Sequence, residues 1–229
     1  MPSVASSLAP PLCELDWPHQ YRIVSSAFPA IAFFETLVDP ERMEALYHLE
    51  GLTNARLRDE VGDIALVDPE DRISGPGASP VMAAFTHVGA ESRFSDGSFG
   101  IYYAARTLDT AIEETKFHRA RFLAFTEEAP GEIDLRVDVG EIAKPLHDIR
   151  GNTYDALHAP RTWAASQAFG AEMRALHSWG LVYRSVRHPG GECIAALRPP
   201  AVTLPRQGPH LSYLWDGARI VRVYEKILR

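Results

Sequence analysis

Alternating apolar and polar positions predict most of the strands in this chain. The clearest pattern covers residues 132–139, whose apolar members are Ile133, Leu135, Val137 and Val139. Such a period of two is typical of a strand with one buried face. Asp216 and Gly217 form a hairpin signal between two further strands. The predicted strands are 21–25, 99–105, 132–139, 181–186, 193–197, 211–215 and 218–227.

Helix signals separate these strands. A capping residue followed by proline, which is a favoured helix start, occurs at Asp39-Pro40 and at Ser79-Pro80. Thr107 is a third favoured cap. The predicted helices cover residues 39–51, 79–89, a segment beginning after Thr107, and 161–179. Because strands and helices mix without regular alternation, the pattern predicts an α+β fold in a single domain.

Composition excludes several classes of protein. The chain has 229 residues, of which 46% are hydrophobic and 23% charged, and its formal net charge is -7. This acidic balance argues against a direct nucleic-acid partner, because phosphate binding requires clustered Lys and Arg. No apolar stretch approaches the roughly 20 residues of a membrane-spanning helix. We therefore expect no membrane contact, and the two cysteines fit a reducing cytoplasm.

Cysteine and histidine give no sign of a disulfide framework or a metal site. There are two cysteines, and none of the nine histidines lies at metal-ligand spacing. Residues 1–16, which begin with a segment rich in Ser, Ala and Pro, are expected to form a flexible tail. Residues 17–229 then form the domain, with an insert at 39–79 that ends in a surface loop.

Residues 92–121 hold the densest set of side chains suited to chemistry. Arg93 falls in the loop before a predicted strand, Tyr103 near the end of that strand, and Glu114 about two turns into the following helix. A loop–strand–helix unit of this kind can bring all three side chains to one cleft. Ser185, near the end of another predicted strand, is a fourth candidate.

Each of these residue types has a use at a nucleotide. Arg93 offers planar donors for phosphate, and Tyr103 offers a ring for stacking. Glu114 can bind ribose hydroxyls and stabilise a cation. Ser185 could orient a substrate through its hydroxyl. Purely structural interpretations also exist, since adjacent glutamates such as Glu113 and Glu114 commonly form a solvated helix face.

Several segments, in order, resemble the RES-domain toxin family, which is named for its Arg, Glu and Ser. They are Tyr21-Arg22, residues 92–105 followed by Thr110-Ala-Ile-Glu-Glu114, and Ser166-Gln167 followed by Gly180-Leu-Val-Tyr-Arg-Ser-Val-Arg187. In this register the family's Arg, Tyr, Glu and Ser are Arg93, Tyr103, Glu114 and Ser185. Phe94 stands where the family often has Trp, which preserves an apolar ring.

The resemblance implies a split, mostly β core with surrounding helices, similar to the ADP-ribosyltransferase toxins. It also implies that NAD is consumed as a substrate and that no metal is needed. Glu114 would stabilise the cation that forms as nicotinamide leaves, and Ser185 would orient the bound substrate. The residues implied to bind the dinucleotide are Arg93, Tyr103, Arg22 and Arg56.

The same resemblance implies a type II toxin–antitoxin system. Residues 111–118 look closer to the ParT type, which favours mono-ADP-ribosylation of a host metabolic protein, such as phosphoribosyl pyrophosphate synthetase. The alternative within the family is a glycohydrolase or phosphorylase that depletes NAD. An Xre-like antitoxin would occlude the NAD cleft.

Two other classes of function are alternatives. One is a binding module for NAD or an antitoxin without activity, which the intact Arg, Tyr, Glu and Ser positions argue against. The other is a glycoside hydrolase using Glu113 and Glu114. Adjacent helical residues point about 100° apart, so these two carboxylates are poorly placed to flank one bond.

Overall fold

A computed structural model of the chain describes residues 9–26 and 62–227. The strands are β1 (Leu12–Cys13), β2 (Gln20–Ser25), β3 (Tyr102–Ala105), β4 (Gly131–Gly140), β5 (Leu146–Asp148), β6 (Gly180–Arg184), β7 (Glu192–Ala196), β8 (Arg206–Trp215) and β9 (Ile220–Lys226). The α-helices in these ranges are α1 (Ala78–Thr86), α2 (Leu108–Phe125) and α3 (Ala164–Ala175).

Within the described ranges, the strands form one mixed sheet in the order β1-β5-β6-β7-β3-β2-β4-β8-β9. Among the strands of this described part, only β5 and β6 pair in parallel. The join in the middle is narrow, because β2 and β3 pair solely at Tyr21 and Ala105. By contrast, β2 pairs with β4 along its whole length. The sheet is therefore split into two halves. A mixed sheet with helices packed on it confirms the expected α+β fold.

Helices cover both faces of the sheet, and α2 lies across the split. The apolar side of α1 packs on one face of the half that contains β3, β6 and β7. On the opposite face of that half, Met173 of α3 packs in the same cluster as Ala111 of α2. Leu123, further along α2, packs instead against β4 and β8 of the other half. α2 thus connects the two halves.

Most of the predicted elements are confirmed. Thr107 caps α2 by accepting a hydrogen bond from the Thr110 amide. The hairpin of β8 and β9 turns at Asp216 and Gly217, as expected. The predicted helix at 39–51 lies outside the described residues. No described helix is long and apolar enough to cross a membrane.

Part of the expected flexible tail, residues 1–16, belongs to the sheet. Leu12–Cys13 pairs with β5, and the carbonyl of Pro11 accepts a hydrogen bond from the amide of Asp148. The His147 ring also contacts the Pro10 carbonyl at 2.6 Å. The partner of this N-terminal segment is β5, a strand that the sequence pattern did not predict.

Two predicted helices are shorter in the structure. α1 ends at Thr86 rather than Gly89, because the Thr86 carbonyl accepts the amide of Asp63 instead of continuing the helix. α3 covers residues 164–175 of the predicted 161–179. It stops where His177 adopts a positive φ of 53°, which reverses the chain.

Candidate active site

A cavity of about 350 Å³ lies between α2 and the sheet, at the narrow join of β2 and β3. The side chains of chemical interest in its wall are Arg22, Arg93, Tyr103, Glu114, His118 and Arg119. Four of these are among the residues that the sequence singled out, so the structure brings them together. Arg56, the other predicted binding residue, lies outside the described residues.

Glu114 is the carboxylate at the centre of this wall. Its Oε1 accepts hydrogen bonds from Ser185 Oγ at 2.6 Å and from the Val186 amide at 3.1 Å, with the Arg187 amide more distant at 3.4 Å. No hydrogen bond from a described residue reaches Oε2. One oxygen is therefore held in place, while the other remains available to a ligand.

Ser185 lies behind Glu114 and is not in the wall of this cavity. Its hydroxyl donates to Glu114 and accepts hydrogen bonds from the amides of Arg187 at 3.2 Å and His188 at 2.9 Å. The single hydroxyl proton is thus directed at Glu114. This arrangement places the Ser185 hydroxyl against the carboxylate of Glu114.

Glu113 takes no part in the cavity. Its carboxylate pairs with Lys116 at 2.8 Å, and its side chain is 40% exposed. This is the solvated helix face expected for one of the two adjacent glutamates. The one-residue step from Glu113 to Glu114 separates a surface ion pair from a carboxylate inside the site.

Tyr103 holds the loop that contains Arg93. Its hydroxyl hydrogen-bonds with Ser92 Oγ at 2.9 Å and accepts from the Phe94 amide at 3.0 Å. Burial raises the pKa of Tyr103 to about 12, so the phenol stays protonated. Tyr102 points to the opposite face of β3, where it is fully buried in the core.

Two arginines give the cavity positive charge. Arg93 is buried, with 7% exposure, and its Nη1 donates to the carbonyls of Leu157 at 3.2 Å and Ala159 at 3.1 Å. Arg22 crosses the split, since its Nη1 donates to the Tyr103 carbonyl at 3.0 Å. Within the described ranges neither guanidinium pairs with a carboxylate, so both retain charge for an anionic ligand.

Beyond Glu114, α2 also contributes three aromatic, imidazole or guanidinium side chains to the cavity wall, for which the sequence predicted no role. They are His118, Arg119 and Phe122. Burial lowers the pKa of His118, although nearby Glu114 opposes this effect. The available signal was a spacing of three to four residues, from Glu114 and Thr115 to His118 and Arg119 and from these two to Phe122, which places them on one helix face. Among the described residues, no group of side chains could hold a metal ion.

Comparison with known proteins assigns the family. The RES domain family model matches residues 69–216, a segment that contains Arg93, Tyr103, Glu114 and Ser185. The uncharacterized protein y4oC of Sinorhizobium fredii (strain NBRC 101917 / NGR234) is 32% identical over 209 residues, which cover 89% of this chain and 86% of that protein.

A solved structure is also similar. It is the crystal structure of the M. tuberculosis MbcT-MbcA toxin-antitoxin complex, with a TM-score of 0.39 and 17% identity over 56% of this chain and 73% of that chain. The family model alone covers more than half of the present chain. The chain therefore belongs to the RES domain family, as its sequence motifs predict.

Proposed function

We propose that the protein is the toxin of a toxin–antitoxin system and that it breaks the bond between nicotinamide and ribose in NAD. The observation that supports this most is the setting of Glu114. One of its oxygens is fixed by Ser185 and Val186, and the other has no bond from the described residues. The same cavity presents the cations Arg22 and Arg93.

The reaction that suits this site begins with departure of nicotinamide. The bond between the ring nitrogen and ribose C1′ breaks, and its electron pair stays on nicotinamide, which leaves as a neutral molecule. The ribose becomes an oxocarbenium-like cation. The carboxylate of Glu114 stabilises that positive charge. An acceptor then bonds to C1′ and loses its proton.

The remaining residues bind and orient the dinucleotide. Arg22 and Arg93 provide positive charge for the pyrophosphate, and Arg93 does so with the donors that its two carbonyl contacts leave available. The ring of Tyr103 lies in the cavity wall, where it can stack on the nicotinamide–ribose end. Ser185 acts through Glu114 as a positioning residue.

For the acceptor of the ADP-ribose we propose a side chain of a host metabolic protein, on the strength of residues 111–118. The test uses NAD labelled in its adenylate half, incubated with purified protein alone and with bacterial lysate. Label on a protein band supports transfer. Free ADP-ribose or its phosphorylated form supports degradation of NAD instead. If nicotinamide is released under neither condition, the proposed cleavage is wrong.

The partner that we propose is an Xre-like antitoxin that covers the cavity. A net charge of -7 suits a partner with basic contact residues, because complementary charge speeds association. The co-expressed complex should bind NAD far more weakly than the free protein in calorimetry. Equal binding by the complex and the free protein would place the inhibitory contact elsewhere.

A further inference from the structure

The cavity wall continues along α2 beyond the carboxylate of Glu114. At the spacing of helical turns, α2 contributes Thr115, His118, Arg119 and Phe122 to it. From Glu114 to Phe122 the helix rises about 12 Å, at 1.5 Å per residue. An extended dinucleotide with its nicotinamide ribose at Glu114 can therefore reach the far end of this wall with its other half.

Arg119 differs from the other cations of α2. Lys116 pairs with Glu113 at 2.8 Å, and Arg121 pairs with Glu91 at 2.9 Å. Arg119 has no acidic partner within the described residues. Arg119 is half-buried in the structure, and this desolvation lowers the pKa of its guanidinium. A partly buried guanidinium without a counter-charge is a suitable site for a phosphate.

Phe122 offers a ring at the mouth of the same cavity. It lines the wall and yet is 54% exposed, so part of the aromatic surface is open to a ligand. Exposed aromatic rings stack with nucleotide bases irrespective of base type. Phe125, which is 86% exposed and close by on the same helix, does not line the cavity. Exposure alone therefore does not distinguish Phe122; its place in the wall does.

We propose that Arg119 and Phe122 form the subsite for the adenosine half of the dinucleotide. Arg119 binds the phosphate nearest to adenosine, and Phe122 stacks on the adenine ring. This inference rests on the proposed function, which places the nicotinamide ribose at Glu114. It also gives the pyrophosphate a cation besides Arg22 and Arg93. The Nη1 of Arg93 already donates to two backbone carbonyls.

The test measures binding of ADP and of nicotinamide mononucleotide to the full chain by calorimetry. Arg119→Gln and Phe122→Ala should each weaken binding of ADP by about 10-fold, because each removes a contact of a kind that contributes an effect of about this size. Both should leave binding of nicotinamide mononucleotide within about 2-fold of the unaltered protein. Arg119→Lys, which keeps the charge but loses the planar fork, should recover part of the affinity for ADP.

Two matched controls come from the same helix. Arg121→Gln and Phe125→Ala alter an arginine and a phenylalanine outside the cavity, and both should bind ADP normally. Thermal unfolding of each variant checks that the fold is kept. The subsite is excluded if ADP binds the Arg119 and Phe122 variants as tightly as it binds the unaltered protein, or if the controls lose as much affinity.

Failure of the inference and failure of the proposed function give different results. Release of nicotinamide from NAD by a protein that does not bind ADP would overturn the subsite and leave the cleavage intact. Binding of ADP that depends on Arg119, by a protein that releases no nicotinamide from NAD, would support the subsite and contradict the proposed reaction.

Discussion

At the scale of single residues, the orientation of Glu114 depends on the hydroxyl of Ser185. The short contact of 2.6 Å is a hydrogen bond to a charged acceptor, which is stronger than one between neutral groups. The hydroxyl is itself held by the amides of Arg187 and His188. A rigid carboxylate loses less free energy in reorganising when positive charge develops next to it.

Ser185→Ala should therefore lower kcat for nicotinamide release by about 10- to 100-fold, which corresponds to the roughly 1.5–3 kcal/mol of a hydrogen bond to a charged group. KM for NAD should change much less, since Ser185 is not in the cavity wall. Steady-state kinetics measure both constants. Ser98→Ala, which removes an exposed hydroxyl that donates to Asp96, is the matched control. A normal kcat in Ser185→Ala would mean that Glu114 does not need this contact.

The sequence could identify the residue types of the site but not their contacts. The motif register separated Glu114 from Glu113, and the ion pair of Glu113 with Lys116 agrees with that choice. The bond between Glu114 and Ser185 joins positions 71 residues apart. The carbonyls of Leu157 and Ala159 that hold Arg93 lie in and directly after a 3-10 helix, Asn152–His158, that carries no motif. Contacts of this kind arise from the tertiary fold, which no local pattern specifies.

At the scale of elements, the loop that holds Arg93 is positioned by the close approach of α3. A Cβ on Gly170 would lie 2.0 Å from the backbone carbonyl oxygen of Phe94. The neighbouring atom is backbone and cannot rotate away, so only glycine permits this packing distance. The helix thus supports the loop at the residue that follows Arg93.

Gly170→Ala should lower the free energy of unfolding by about 3 kcal/mol, the upper part of the range for overpacked sites. It should also weaken NAD binding, because the loop would have to shift. Gly151→Ala is the control, since no atom lies within 4 Å of its added Cβ and its φ of -67° suits alanine. That change should be neutral or stabilising by up to about 1 kcal/mol. Urea unfolding measures both, and equal stabilities would contradict the packing argument.

Elements with a strong internal pattern could be predicted, and short ones could not. β4 has a clear period of two, α2 has a cap at Thr107, and the β8–β9 hairpin has its turn signal. β5 has only three residues and pairs in parallel with β6, far along the chain. β1 has two residues and pairs with β5. Strands of this length are stabilised by distant partners, so the sequence holds no local signal for them.

At the scale of the whole molecule, the cavity exists because the two halves of the sheet meet at one residue pair. The sequence predicts an α+β domain, but the strand order follows from pairings between distant segments. α2 packs on both halves, so the candidate catalytic carboxylate and the residues at the far end of the cavity belong to one rigid element. The relative position of Glu114 and Phe122 is thereby fixed by the helix.

The stability of the whole fold should depend on pH through two histidines. Burial lowers the pKa of both His118 and His158 in the folded protein. In the unfolded chain their pKa is about 6.5, so below that pH the unfolded state binds more protons. The contribution of these two histidines to the free energy of unfolding should therefore be complete above about pH 7. It should be lost as the pH falls from about 6.5 towards their lower pKa values in the folded protein.

The comparison is urea unfolding at about pH 7.5 and pH 5.5 for the unaltered protein and for His118→Gln with His158→Gln. The double variant should lose less stability on acidification, because it lacks the two groups that take up protons only on unfolding. If both proteins lose the same free energy of unfolding between these pH values, the two histidines are not the cause.

The most direct measurement is release of nicotinamide from NAD by the purified protein and by two variants that differ in one position on the same helix. Glu114→Gln removes the charge that faces the cavity, and we expect it to lower the rate by at least about 100-fold, as for loss of a preorganised charge-stabilising group. Glu113→Gln alters only the exposed pair with Lys116 and should keep a rate close to that of the unaltered protein. A slow Glu113 variant beside a fully active Glu114 variant would contradict the assignment of Glu114 as the residue that stabilises the departing ribosyl cation.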